Sequence, residues 1–538
     1  MIAISLCGFF LVSSCNMKKN ADLIVLNGNI YTVDESFSKA EAFAVKDGLF
    51  TFVGTNDEVL SKYKSDNVLD LQGAAVYPGL NDAHGHLLHL GNTLIRADLR
   101  GARSFDEIIQ RLLAYAKDKN AAYIVGDGWD QNLWSDPTIP DNTELNRLFP
   151  NTPVILNRID YHAAIANDAA IKMAGLNPSD KNIPKGEALI KRGKFTGLFM
   201  ERTADYIGAS LPEPSPEEIK AMILAAQNEC FKYGLTSVNN AGTEFADIVI
   251  LDTMQSRGEL KIRVDAFITP SPENFERFKD GPYRNGRFNV ATLKLFVDGA
   301  LGSRGALLLK PYSDDLSTIG LHVGTPEEFI ENVKWAYEHN MAVATHCIGD
   351  AANREALDVY GLFLKEKNDK RWRIEHAQII DPADMDKFSK YSIVPSIQPT
   401  HCTSDMLWAD ERLGDRIKYA YAYKQLLNQL GWLPSGTDFP VENVNPFYTF
   451  MAGVYRQNLD LIPEGGFQME NSLTKEETLR SMTIWAAKAT FEESVKGSVE
   501  VGKYADFIVT DRDFMTASVK EVSGTKVLKT YVGGEQVY

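Results

Sequence analysis

The hexapeptide Asn81-Asp82-Ala83-His84-Gly85-His86 follows directly on the apolar, turn-ended run Ala74-Ala75-Val76-Tyr77-Pro78-Gly79. In an extended chain the side chains at i and i+2 leave the same face, so His84 and His86 present two imidazoles to one point, as a metal-holding strand does. Two ligands do not close a metal site, so the fold has to bring further donors to that point. Such donors recur downstream in or just after short β-prone runs: Lys294 in ATLKLFVDGA, His346 in AVATHCIGD, His376 in RWRIEHAQII and Asp438 in LPSGTDFPV. In each run Gly, Asp or Pro stands close behind the donor.

With 538 residues, 44% of them hydrophobic, the chain exceeds the usual size of one domain, and two structural units are expected. The formal net charge of −16 repels phosphate backbones and no long basic run offsets it, so nucleic acid is not an expected partner. A small molecule is. Nothing in the sequence sets an oligomeric state.

Residues 1–15, MIAISLCGFFLVSSC, carry no charge, and the chain turns polar at once after Cys15. The run is too short to cross a membrane comfortably and reads as an export signal. Leu11-Val12-Ser13-Ser14-Cys15 resembles the lipobox of bacterial lipoproteins. That resemblance implies cleavage before Cys15, lipid attachment to its sulfur and a membrane-anchored protein of the bacterial periplasm or cell envelope. Removal of the signal leaves Cys230, Cys347 and Cys402 as thiols, which do not make a disulfide framework.

Residues 22–77 alternate short β-prone runs with turns, and Asn27-Gly28 and Asp47-Gly48 predict hairpins. Residues 494–538 have the same character, so both ends of the chain are expected to form one small, discontinuous β-sandwich domain. The middle, residues 78–493, alternates strands with amphipathic helices, the sequence form of a parallel α/β fold. After the HxH strand come LTSVNNAG, KIRVDAFIT, ATLKLFVDG, AVATHCIGD, RWRIEHA, SIVPSIQP and WLPSGTD. With the first, these make the eight strands that close a (β/α)8 barrel. Thr325 with Glu328 predicts a capping box at the start of PEEFIENVKWAYEHN. The stretch from about 98 to 216 is longer than a strand-to-helix loop needs and carries strands of its own, AYIVGDGWD and PVILNRIDYH. It is expected to be an insertion over the barrel mouth that helps shape a substrate pocket.

On this numbering all six donors project from the C-terminal ends of barrel strands, where barrel active sites are built. The chain resembles the amidohydrolase superfamily and, within it, the YtcJ-like (Amidohydro_3) group. The matching pieces are YPGLNDAHGHLLHLG, GDGWDQNLW, LKLFVDGALGSR, THCIGD, IEHAQ, SGTDFPVE and GSVEVGKYADFIVTDRD. The resemblance implies zinc in one or two sites. His84, His86 and Asp438 would hold the more buried ion and His346 and His376 the outer one, with Lys294 bridging them if carboxylated. An unmodified lysine is a poor ligand at neutral pH because its amine is protonated.

A divalent ion acidifies its bound water towards a pKa of about 7, and Asp438 is placed to take that water's proton and return it to a departing nitrogen. The expected activity is hydrolysis of a carbon–nitrogen bond, other than a peptide bond, in a small amide, N-formyl or N-acyl compound. Two competing readings are a one-metal deaminase on the same fold and a lipoprotein that binds a small molecule without turning it over.

Other residues carry paired readings. His401, in SIQPTHCTSD, is a candidate for touching a substrate carbonyl oxygen. His162 is placed to line the pocket from the insertion. Trp129, beside Gly128, is expected as a pocket wall, against the alternative of a local core, which is the expectation for Trp134. Ser303 and Arg304 either bind a substrate carboxylate or, for the arginine, make a surface salt bridge. Lys294 could instead pair with Asp298.

Overall fold

A computed structural model of the chain describes residues 18–117, 122–136, 138–158, 163–181, 183–184 and 186–538. The export signal, Cys15 and His162 lie outside the described residues. Two compact units emerge among the described residues, one of residues 18–86 and 227–538 and one within residues 87–226.

The first unit is built on a parallel barrel sheet. Its strands are β1 (Leu80–Gly85), β2 (Leu235–Thr243), β3 (Arg263–Ile268), β4 (Phe288–Phe296), β5 (Ala342–Cys347), β6 (Arg373–His376) and β7 (Val394–Ser396), each hydrogen-bonded to the next. Strands buried on both faces read as nearly continuous apolar runs, as AVAT in β5 does. The eighth position is an irregular segment at 433–438 rather than a regular strand. Ile397 donates to the Pro434 carbonyl and Gly436 to that of Ile397, which joins the segment to β7. Ala83 donates to the Ser435 carbonyl and Asp438 to that of His84, which joins it to β1 and closes the barrel. Closure needs Gly436, because a Cβ there would lie 2.3 Å from the backbone nitrogen of His84.

Helices alternate with these strands. The one at Pro326–Glu338 opens with the expected capping box, Thr325 and Glu328 each satisfying the other's backbone N–H.

Both chain ends meet in a β-sandwich. One sheet runs Leu49–Gly54, Ala42–Lys46, Leu23–Leu26, Val68–Asp70. In the other, the C-terminal strand Phe507–Thr510 lies antiparallel to Ala75–Pro78, with Val509 opposite Val76. Inward residues of both sheets share one core, in which Phe43 meets Phe507 edge to face with centroids 4.9 Å apart. Asp47-Gly48 makes the expected hairpin, both residues at positive φ between Lys46 and Leu49. Asn27-Gly28 does not. The strands on either side of it, Leu23–Leu26 and Asn29–Tyr31, belong to different sheets, and the left-handed φ of 54° at Asn27 turns the chain from one to the other.

The second unit, residues 87–226, starts and ends beyond the expected 98–216. It takes in the helix Leu87–Ile95 that follows β1 and the first part of the helix Pro216–Lys232. Its own six-stranded mixed sheet contains the strands Ile124–Trp129 and Val154–Arg158, side by side and parallel. Among the described residues no helix is long and apolar enough to cross a membrane. Cys230, Cys347 and Cys402 are free and buried.

Candidate metal centre

β1 carries His84, and His86 follows directly on its last residue, Gly85, the two ring centroids lying 5.5 Å apart. β5 delivers His346, and β6 ends at His376, whose ring lies 4.5 Å from that of His346 and 5.0 Å from that of His84. Asp438 arrives from the closing segment. Its Oδ1 is 3.0 Å from His86 Nε2 and 3.6 Å from His84 Nε2. His376 and Asp438 hold left-handed φ angles of 71° and 62°. Backbone strain at two donor positions, maintained by the barrel around them, is the kind of cost that functional sites carry.

Lys294, on β4, is 1% exposed with Nζ 3.5 Å from His84 Nε2. Asp298, the carboxylate that could have paired with it, is committed elsewhere and accepts from the backbone N–H groups of Leu307, Ile348 and Gly349. Burial pushes the Lys294 amine down to about 8. All six expected donors therefore meet in one place.

Burial likewise lowers the pKa of His84 to about 4 and of His346 to about 3, and that of His376 well below its usual value. All three rings are neutral at physiological pH, the form in which imidazole ligates metal. For Asp438, burial alone would raise the pKa, but hydrogen bonds from His401 and His86 hold it well below the usual carboxylate range.

These residues fit a divalent cation. His346 Nε2 and His376 Nδ1 are buried without a hydrogen-bond partner, an expensive arrangement unless something else meets their lone pairs. Donor atoms of His84, His376 and Asp438 lie within 4.8 Å of one another, close enough for a cation to be held among them or for two to share the cluster. His84 Nε2 and Asp438 Oδ1 lie 3.6 Å apart, and a proton on His84 Nδ1, which is 2.5 Å from Glu375 Oε2, would leave them facing each other as two acceptors. A cation between them resolves that conflict.

His401 lies beside this cluster. Its Nε2 is 3.1 Å from Asp438 Oδ2 and its Nδ1 is 3.4 Å from Glu442 Oε1. Burial works against its charge, yet the two carboxylates raise its pKa to about 10. It is a charged donor on the carboxylate.

One expected pocket residue is corrected. Trp129 is fully buried in the core of the second unit, among Leu99, Ile108 and Leu156, and its indole N–H donates to the Leu156 carbonyl. Trp134 packs in the same core. Arg304 is held by Asp314, with Nη2 2.8 Å from Oδ2, and that carboxylate also takes Arg412. Its guanidinium makes the salt bridge rather than an open carboxylate site. Ser303 is exposed and donates to the Ala300 carbonyl.

Sequence reasoning missed the carboxylates behind the donors. Asp82, from the same hexapeptide as the histidines, accepts from the Thr437 hydroxyl at 2.7 Å and from the N–H groups of Thr437 and His84, binding β1 to the closing segment. Glu375 holds His84 and Glu442 holds His401. Asp82 stands two residues before His84 in NDAHGH and Glu375 directly before His376 in IEHAQ, and that proximity was the available signal.

The sequence profile of the Amidohydrolase family, Amidohydro_3, matches residues 67–538. The YtcJ protein of Bacillus subtilis (strain 168) is 30% identical over 95% of this chain and 98% of its own length. An N-substituted formamide deformylase of Arthrobacter pascens is 24% identical over 96% of this chain and 98% of its own. Among solved structures, a metal-dependent hydrolase of Pyrococcus horikoshii OT3 superposes with a TM-score of 0.77 at 31% identity, covering 92% of this chain and 99% of that one.

Proposed function

Because the chain belongs to the amidohydrolase family, whose relatives include metal-dependent hydrolases, we propose that it is a zinc-dependent hydrolase of carbon–nitrogen bonds other than peptide bonds. Its substrate class is small amides, with N-formyl and N-acyl amines first. The observation that carries this reading is the convergence of His84, His86, Lys294, His346, His376 and Asp438 at one end of the barrel, with two of the imidazole nitrogens buried and unpartnered. The deformylase relative supports the N-formyl class.

His84, His86 and Asp438 would hold one ion, and His346 and His376 a second, with Lys294 as a carboxylated bridge. Bound there, zinc supplies an acidified water and a Lewis acid for a carbonyl oxygen. The rest falls to the protein. Asp438, ionised and within reach of the same point as the histidines, takes a proton at a carboxylate oxygen and returns it to the departing nitrogen. His401, a charged donor beside Asp438, would turn the N–H it holds on Asp438 Oδ2 towards the developing negative charge on the substrate oxygen, with Glu442 keeping the other nitrogen. The neutral rings of His84, His346 and His376 keep their lone pairs for ligation.

Cys15 belongs to the same proposal, as the lipid-bearing residue of an exported, membrane-anchored protein. The catalytic reading is tested by screening N-formyl amines, N-acyl amines, cyclic amides and aminopurines with metal-replete protein. Release of formate or another acid from an amide supports it. Ammonia released from a ring amine, with no amide cleaved, would replace it with the deaminase reading, and no turnover of any class would favour a binding protein.

A further inference from the structure

We infer that Glu375, braced by Arg373, is a positioning residue that fixes the proton of His84 on Nδ1 and thereby sets the metal affinity of the centre. Glu375 lies on β6 in register with His346 of β5, and neither it nor Arg373 has any exposed surface. Its Oε2 is 2.5 Å from His84 Nδ1. An ionised carboxylate only accepts, so the proton between them belongs to the imidazole, and Nε2 is left with its lone pair. That nitrogen faces Lys294 Nζ at 3.5 Å and Asp438 Oδ1 at 3.6 Å, where a cation would sit.

Arg373 explains why so buried a carboxylate stays ionised and stays out of the ligand set. Its Nη2 donates to Glu375 Oε2 at 3.1 Å, and its Nε lies 2.7 Å from Oε1 as a charge contact rather than an aligned hydrogen bond. Oε2 is thus taken by His84 and Arg373, and Oε1 lies against the same guanidinium without a hydrogen bond. The same Nη2 donates to the Ala83 carbonyl of β1 at 2.7 Å and to the Ser396 hydroxyl of β7 at 2.8 Å. The guanidinium also lies 4.9 Å from the ring centroid of Phe267 on β3. One arginine thus ties four strands together and presents the carboxylate to the ligand histidine. Partners of this kind orient a metal-ligating imidazole, fix its tautomer and raise its basicity, and their loss typically costs 10- to 100-fold in affinity.

The inference rests on a metal at His84, and the wild-type control separates the two claims. Full-length protein is stripped with chelator and titrated with zinc against a chromophoric competitor, as wild type, E375Q, R373Q and the double variant R373Q/E375Q. Circular dichroism and melting of each metal-free form report folding. The expected result is affinity about 10- to 100-fold weaker in E375Q. The double variant should fall within about threefold of E375Q, because Arg373 acts through Glu375. Cobalt loaded in place of zinc should show an altered visible spectrum in E375Q.

Zinc binding by E375Q within about twofold of wild type overturns the inference, and a further tenfold loss in the double variant overturns the part given to Arg373. Should E375Q fail to fold, the double variant carries the affinity test, since it removes both charges of the buried pair together. A neutron structure of metal-free wild type needs no variant. A deuteron on His84 Nδ1 is expected, and one on Nε2 would overturn the inference. Absence of zinc binding by wild type removes the metal reading itself.

Discussion

His401 donates through Nε2 to Oδ2 of Asp438 across 3.1 Å, the opposite oxygen from the one His86 approaches at 3.0 Å. One carboxylate is thereby shared between a metal-ligand candidate and a charged donor, as a group that shuttles a proton requires. Replacing Asp438 by Asn keeps the shape and removes the base. The expected outcome is a loss of kcat of about 10³-fold or more on the best amide of the panel, with KM changed far less. Loss confined to KM would show that Asp438 only binds.

His401 is predicted to contribute less. H401N keeps a polar side chain and removes the charge, and kcat should fall by about 10- to 100-fold with zinc content unchanged, measured by steady-state kinetics and elemental analysis. Zinc lost along with activity would make His401 a ligand instead.

Lys294 tests the two-ion arrangement. A bridging carbamate holds two cations together, so wild type should carry about two zinc ions per chain and K294A about one. Added acetate or propionate, whose carboxylate can take the bridging place, should restore part of the activity to K294A. A wild type with one ion and a K294A variant of equal metal content would favour a one-metal site.

Away from the candidate metal centre, Asp513 predicts a pH effect on stability. It accepts from Tyr77 at 2.7 Å, Tyr31 at 2.8 Å and Asn29 at 3.0 Å. Burial alone would raise its pKa, and the two tyrosine hydroxyls reverse that and hold it below the ordinary 3.8. A depressed carboxylate pKa means that its stabilisation is complete above the unfolded value and is lost as pH falls through the folded one. D513N should therefore destabilise the protein by about 1–3 kcal/mol at neutral pH. The difference from wild type should shrink below about pH 3.8 in denaturant melts.

The features legible in the sequence were the local ones. A period of two put His84 and His86 on one face, and turn residues behind Lys294, His346 and Asp438 marked strand ends, so the barrel and the order of its candidate donors could be read. The β-character of residues 22–77 and 494–538 likewise pointed to one domain, which the pairing of Phe507–Thr510 with Ala75–Pro78 realises. What a residue meets across the fold was not legible. Asn27-Gly28 announces a turn but not which sheet comes next. Trp129 beside a glycine reads the same whether it faces a pocket or, as here, a core. The role of Glu375 depends on β1 and β6, which are not sheet neighbours, meeting inside one barrel, which no spacing within IEHAQ encodes.

Anomalous diffraction at the zinc edge, from crystals of active protein purified without chelator, tests the central claim most directly. The predicted result is a peak at about 2.0–2.2 Å from His84 Nε2, an imidazole nitrogen of His86 and a carboxylate oxygen of Asp438. Catalytically active crystals with no transition-metal peak among those three side chains would contradict it.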